Sequence, residues 1–214
     1  MSPAGRGRHP GPRTLALTLV GIVALTVTGC GRKSAEPAAP EVERIRPELE
    51  IGRVQLASVE PGLTLPPAAR KAALRSARAY VAAALTAPLE TGRTAPAYAG
   101  LFAPSLRAAA TGPDAATLTD AGLAAPGAYR SQAGPVELAA FAGPDGRIAF
   151  VAPRFTVTTD ITTADGPVRL QRNVELTLTA RGPAWPITGY RVVVSRARPP
   201  APTTTSTAVA GATP

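Results

Sequence analysis

The fold of this chain is decided by residues 154–178, which read RFTVTTDITTADGPVRLQRNVELTL. Apolar and polar side chains alternate in both halves of this stretch, with Phe155, Val157 and Ile161 on one face of the first half. A period of two is typical of a β-strand with one buried face, and the ADG at 164–166 is typical of a turn. The stretch therefore predicts a hairpin whose apolar face covers a core.

Two further strands extend this hairpin. One begins at Val136 and ends before the turn GPDG at 143–146, and the other covers Trp185–Arg196 after the turn RGP at 181–183. Regular strands separated by turns predict an antiparallel meander of four strands. Because such a sheet has one apolar face, we expect helices to pack on that face.

A helical pattern precedes the strands. Residues 67–85 read PAARKAALRSARAYVAAAL, with Pro67 at a favourable first position and strong helix formers after it. The spacing of a buried helical stripe is followed by Leu74, Ala77, Val81 and Leu85.

The same helix carries a separate basic stripe, and shorter helices are predicted after it. The stripe consists of Lys71, Arg75 and Arg78, and it is either a solvated face or a contact for an acidic partner. Two shorter helices are predicted over Ala95–Phe102 and Pro104–Ala110. The predicted fold class is therefore α+β, with N-terminal helices packed on a curved four-stranded antiparallel sheet.

The last predicted strand opens with WPITGYRV at 185–192. This pattern of Trp185, Ile187 and Tyr190, placed after a long helix and a sheet, resembles the NTF2-like (SnoaL-like) superfamily over residues 67–197. The resemblance implies a cone-shaped sheet that wraps around the helices and leaves a pocket. Members use that pocket for catalysis or for binding ligands or partners, and dimers through the sheet face are common. Fold alone does not decide among these uses.

The amino terminus has the features of an export signal. Residues 1–13 hold three Arg and no acid, and residues 14–29 are uncharged and mostly apolar. This apolar segment is shorter than the roughly 20 residues that a membrane-spanning helix needs, as expected of a signal peptide.

The segment ends in LTVTGC at 25–30, which resembles the lipobox of bacterial lipoproteins. The resemblance implies cleavage between Gly29 and Cys30, acylation of Cys30 with chains such as palmitate, and anchoring on the extracytoplasmic face of the cell membrane. An ordinary signal peptide cut beside a buried cysteine is the alternative. The excess of Arg over Lys, 21 to 2, is typical of GC-rich coding and suggests an actinobacterial type of lipoprotein.

Composition divides the rest of the chain. Residues 30–50 comprise the lipidated cysteine and a spacer rich in Pro, Ala, Glu and Arg, and residues 200–214 form a tail of Pro, Thr and Ala. Both compositions favour disorder, so the globular domain is predicted over residues 51–199. This domain holds 16 Lys+Arg against 9 Asp+Glu, a net charge of +7 that favours acidic surfaces. Nine aromatic side chains spread along the chain match no nucleic-acid-binding module, so we expect no nucleic-acid partner.

The residues left after export restrict the chemistry. The single His of the chain is His9, within the predicted signal peptide, and the single Cys is Cys30. A nucleophilic system that needs His or a free Cys is therefore excluded from the mature chain, as is a zinc site of the usual His/Cys kind. No glycine-rich phosphate loop is present, and we expect no cofactor and no metal. Carboxylate chemistry remains open, although the acids occupy turns, caps and polar strand faces.

One residue interrupts the apolar face of the predicted hairpin. Arg172 lies between Leu170 and Val174, and a buried cation is costly unless it is paired. Arg172 either lines a ligand pocket with Trp185 and Tyr190 and meets an anion, turns outward at a β-bulge, or has an internal partner.

These observations favour a non-catalytic binding or accessory module, held in the cell envelope by acylated Cys30. Its partner would be an envelope protein, lipid or a small ligand. The alternatives are an NTF2-like enzyme that uses carboxylate or Tyr chemistry in the cone pocket, and a homodimeric assembly factor.

Overall fold

The computed structural model describes residues 43–123, 127–163, 166–182 and 184–198. The predicted signal peptide, Cys30 and the tail at 200–214 lie outside these residues. Within them, no helix is long and apolar enough to cross a membrane.

The helical elements follow one another without an intervening long strand. They are α1 (Pro67–Tyr80), a π-helical segment (Val81–Thr86), α2 (Ala87–Thr91), a 3-10 turn (Tyr98–Leu101), α3 (Pro104–Thr111) and α4 (Ala115–Leu118). The strands are β1 (Arg44–Ile45), β2 (Ile51–Ala57), β3 (Tyr129–Ala133), β4 (Val136–Ala142), β5 (Ile148–Thr163), β6 (Gly166–Leu178) and β7 (Ile187–Ala197).

The long helix begins at Pro67, as its sequence predicts. It continues through the π-helical segment and α2 until Gly92, which takes a left-handed conformation (φ 75°) that glycine adopts without strain. Of the predicted stripe, Ala77, Val81 and Leu85 are buried and Leu74 is half-buried. The stripe packs against the sheet, so local periodicity was sufficient to place this helix.

The predicted α+β class with a curved sheet is confirmed, but the prediction of four antiparallel strands was wrong. The described part of the chain forms one strongly curled, mixed sheet of seven strands. β3, β4 and β6 pair with β5 in the antiparallel sense, and β7 pairs with β6 in the same sense. β1 pairs in parallel with β3, and β2 pairs in parallel with β4. β1 has only two residues, and β2 carries an irregularity between Ile51 and Val54. Neither strand shows the strict alternation that makes a strand visible in a sequence.

The curl has a clear origin where β3 meets β4. Both strands pair with the same edge of β5, and Gly134 and Pro135 separate them. Proline has no N–H to donate to the ladder, so the pairing is interrupted there and the sheet bends. A side chain on Gly52 would place its Cβ 2.8 Å from Cβ of Pro135, so β2 can approach the bend only with a glycine at this position.

The folded part of the chain begins before residue 51, the boundary predicted from composition. Arg44 pairs with Tyr129, and Leu49 is 2% exposed and belongs to the core. The guanidinium of Arg78 donates to the carbonyl oxygen of Leu49 at 2.8 Å (Nη2). One buried leucine among Pro, Glu and Arg is too little to distinguish this segment from a spacer by composition.

The core fills the space between the helices and the inward face of the sheet. Its largest fully buried side chains come from both layers, and they include Tyr80, Phe102, Leu138, Leu176 and Ile187. This packing fixes which face of β5, β6 and β7 is inward.

Candidate functional site

The structure places Arg172 on the inward face of β6, where it is 2% exposed. Its Nε donates to Oδ1 of Asp120 at 2.8 Å, and its Nη2 also donates to that oxygen. The carbonyl oxygens of Thr117 and Thr119 accept further hydrogen bonds, at 2.5 and 2.8 Å. Arg172 therefore has an internal partner, which is one of the alternatives that the sequence left open.

Asp120 is equally enclosed, at 2% exposed. Burial raises the pKa of this carboxyl, and the neighbouring guanidinium of Arg172 opposes that rise. The backbone N–H of Asp120 donates to the carbonyl oxygen of Ala84 in the π-helical segment at 3.0 Å. The ion pair thus joins the sheet, the long helix and the end of α4.

Three tyrosines hold the same α3–α4 region from inside. Their hydroxyls donate to the carbonyl oxygen of Leu118 (Tyr80, 2.6 Å), to that of Ala110 (Tyr98, 3.0 Å) and to Oδ2 of Asp114 (Tyr190, 2.6 Å). Burial raises the pKa of Tyr80 and Tyr98, and burial with the Asp114 carboxylate raises that of Tyr190 to about 12. These phenols therefore stay protonated and serve as donors that fasten an alanine-rich segment.

The three residues predicted to line one pocket lie in different surroundings. Tyr190 pairs across the sheet with Leu176, and Arg172 pairs with Val194. Trp185 precedes β7 and lines a separate surface cavity of about 280 Å³. Neither Arg172 nor Tyr190 lines that cavity. The sequence identified an unusual interior position at Arg172, but not the surroundings of each side chain.

A larger cavity, a trough of about 510 Å³, lies on the outward face of the sheet at the bend. Charges of alternating sign cross it in register, because Glu137 pairs with Arg154, Arg154 with Glu175, and Glu175 with Arg191. Only the central two form an ion pair here, with Nη2 of Arg154 3.0 Å from Oε1 of Glu175. Within the described residues, the two outer members of this charge ladder, Glu137 and Arg191, have no ion-pair partner.

A third cavity, of about 580 Å³, separates the β1–β2 connection from the π-helical segment. At its edge Oε1 of Glu90 accepts hydrogen bonds from Nε of Arg46 (2.9 Å) and from the hydroxyl of Tyr129 (2.7 Å). Partial burial raises the pKa of Glu90, but these two donors outweigh it and the net pKa is lowered. The cluster ties β1 to α2 and keeps Glu90 ionised.

Sequence reasoning missed Asp120 as the partner of Arg172, and it missed the roles of Arg46, Glu90 and the charge ladder. Only the charge ladder had a signal in the local sequence, since its charges occupy polar positions of strands in which polar and apolar residues alternate. In the part of the chain that the structure describes, no three His, Cys, Asp or Glu side chains are grouped as metal ligands.

Comparisons with known proteins add no relative. No family model, no curated protein and no solved structure matches this chain.

Proposed function

We propose that this protein is a lipid-anchored, non-catalytic binding module that presents the outward face of its curled sheet to an envelope protein. One observation carries the proposal. Arg172 and Tyr190, two of the side chains that suggested an interior pocket, are bonded to Asp120 and Asp114, whereas within the described residues the trough exposes two charges without an ion-pair partner.

Several features make the trough suitable for a protein partner. Glu137 and Arg191 flank the Arg154–Glu175 pair, so a partner meets both signs of charge in a fixed order. Val193 also lines the trough and is 50% exposed. An apolar contact beside oriented charges combines affinity with specificity.

The anchoring part of the proposal rests on the lipobox-like LTVTGC at 25–30. Acylation of Cys30 would hold the domain at the membrane, and two or more acyl chains make such anchoring stable. The connection from residue 31 to β1 would then be the spacer, which is shorter than the spacer predicted from composition.

We also propose that the domain is of the NTF2-like type. The long helix and the curled sheet support this proposal, whereas the parallel strands β1 and β2 depart from the predicted pattern.

The enzymatic alternative has one specific observation in its favour. Tyr129 and Glu90 form a hydrogen-bonded pair near the 580 Å³ cavity, of the kind that carboxylate or Tyr chemistry would use. The low pKa of Glu90 makes it a weak base, so the binding function is favoured. The homodimer alternative rests on β7, which among the described strands pairs with β6 alone, and size-exclusion chromatography of the full chain tests it.

Site-specific photo-crosslinking in cells tests the proposed surface. With a crosslinking residue at Val193, we expect one defined envelope protein to be captured, and Arg191→Glu should abolish the capture. Val59, which is 75% exposed, is the matched control position. Identical capture patterns from Val193 and Val59 would contradict the proposal.

Metabolic labelling with a palmitate analogue tests the anchor separately. Cys30→Ser should remove the label and release the protein from the membrane fraction. Label that persists in this variant would show that Cys30 is not the acylated residue.

A further inference from the structure

We propose that the cavity beside Trp185 binds an amphiphilic anion, meaning a carboxylate or phosphate joined to an apolar body. This cavity shares no lining residue with the trough on the sheet, so ligand binding here does not depend on the proposed protein partner.

The cavity forms where the long helix meets the start of β7 and the 3-10 turn. Its apolar lining residues include Ala79, Leu101, Pro186 and Ile187, together with Trp185. Ser76 donates to the carbonyl oxygen of Trp185 at 3.1 Å, which fixes the backbone of this residue against α1. The wall therefore offers an apolar surface in a fixed place.

Two residues that line the same cavity carry hydrogen-bond donors. They are the guanidinium of Arg75, an exposed residue, and the indole N–H of Trp185. Within the described ranges neither has a hydrogen-bond or ion-pair partner. By contrast, Arg70 and Arg78 of the same helix donate to the backbone carbonyls of Leu65 and Leu49.

The helix and the turn that contribute to the cavity are basic. Residues 61–89 contain four basic side chains, Arg70, Lys71, Arg75 and Arg78, and no acid. Arg181 adds another exposed cation in the turn whose Ala184 lines the cavity. Among the described residues that line the cavity, Arg75 is the only charged one, so the lining favours ligands of negative charge.

These features together define the ligand class. A guanidinium binds a carboxylate or phosphate through paired donors, and an apolar wall accepts an alkyl or aromatic group. A volume of about 280 Å³ suits a small apolar body. The anion would come either from a soluble amphiphile or from the headgroup and upper acyl segment of an anionic lipid.

Trp185 is the single tryptophan of the chain, so its fluorescence reports on this site alone. The full chain in zwitterionic phosphatidylcholine nanodiscs is titrated with hexyl phosphate, and with neutral hexanol as the control. We expect a saturable change in emission with hexyl phosphate and a much weaker one with hexanol. A second arm uses nanodiscs that contain phosphatidylglycerol and no added ligand, and a response confined to this arm assigns the anion to the bilayer.

Arg75→Gln should weaken binding by about tenfold or more, as expected when one charge-assisted contact is lost. Because Arg75 has no described partner, its replacement should leave the thermal melting unchanged. Arg147→Gln removes another exposed charge, outside the cavity, and should bind like the wild-type protein. The proposal is overturned if neither arm responds, if hexanol acts like hexyl phosphate, or if Arg75→Gln binds normally.

Discussion

β6 carries two arginines that differ only in the face they occupy. Arg169 lies on the outward face and pairs with Asp160 at 2.7 Å, with side chains that are 37% and 32% exposed. Arg172, three residues later, lies on the inward face and pairs with Asp120, with side chains that are 3% and 2% exposed. The same chemistry therefore serves two purposes. Inside, where water cannot replace a lost partner, the pair holds the α3–α4 region in place. Outside, where water can replace a lost hydrogen-bond partner, charged side chains remain available to another protein.

Breaking the inward pair should have the largest effect. Asp120→Ala leaves a buried guanidinium without its counter-ion, and we expect the free energy of unfolding to fall by about 3–5 kcal/mol. Urea unfolding measures this change. The double variant Arg172→Met/Asp120→Leu removes both charges and should recover much of the loss. A loss under about 1 kcal/mol from Asp120→Ala would mean that the pair is not structurally important, since exposed pairs contribute that little.

The tyrosine hydrogen bonds allow the same comparison between buried and exposed contacts, with smaller expected losses of stability. Tyr80→Phe leaves the carbonyl oxygen of Leu118 without its buried donor, which should cost about 1–3 kcal/mol. Tyr190→Phe should cost less, because Tyr190 is only half-buried and water can solvate Asp114 in its place. Thermal unfolding of the two variants, side by side, provides the test. Equal losses of stability would mean that burial does not determine how much these hydrogen bonds contribute to stability.

The outward pair Arg154–Glu175 should contribute little to stability. A double-mutant cycle with Arg154→Ala and Glu175→Ala should give a coupling energy of about 0.2–1 kcal/mol, which decreases as salt is added. Crosslinking from Val193 should nevertheless fall in the same variants. A large coupling energy with normal crosslinking would assign this pair to folding rather than to binding.

The smallest effects are expected in titration. Hydrogen bonding to Arg169 lowers the pKa of Asp160, whereas burial raises that of Asp120, so carboxyl carbon NMR should give midpoints on opposite sides of the usual Asp value. A lowered folded-state pKa contributes stability that is present above the unfolded pKa of about 3.9 and is lost as pH falls through the folded value. The raised pKa of Asp120 has the opposite sign, because its contribution is present at low pH and is lost as pH rises. Asp160→Asn should therefore flatten the acid side of the stability profile. An unchanged profile would contradict this assignment.

Much of the fold could be predicted from local patterns. Alternation along residues 154–178 predicted the hairpin that became β5 and β6, and Pro67 predicted the helix start. β1 and β2 could not be predicted in this way, since one is very short and the other is irregular, and their parallel pairing joins distant parts of the chain.

The candidate sites were predicted less well. Arg172 was identified because it interrupts an apolar face, but its partner lies 52 residues away in a loop that has no periodic pattern. Trp185 was identified as a candidate ligand contact, but the cation that shares its cavity is Arg75 rather than Arg172. Side chains that meet through tertiary packing carry no mark of that meeting in their own segments.

Local patterns in the sequence placed the long helix and the main strands, because hydrophobic periodicity depends only on neighbours along the chain. Tertiary packing was needed to show that Arg172 points inward and binds Asp120, that Leu49 belongs to the core, and that Arg75 lines a cavity with Trp185. These contacts depend on how the sheet curls at Gly134 and Pro135 and on how the helices pack against it, and both follow from long-range packing rather than from any local pattern.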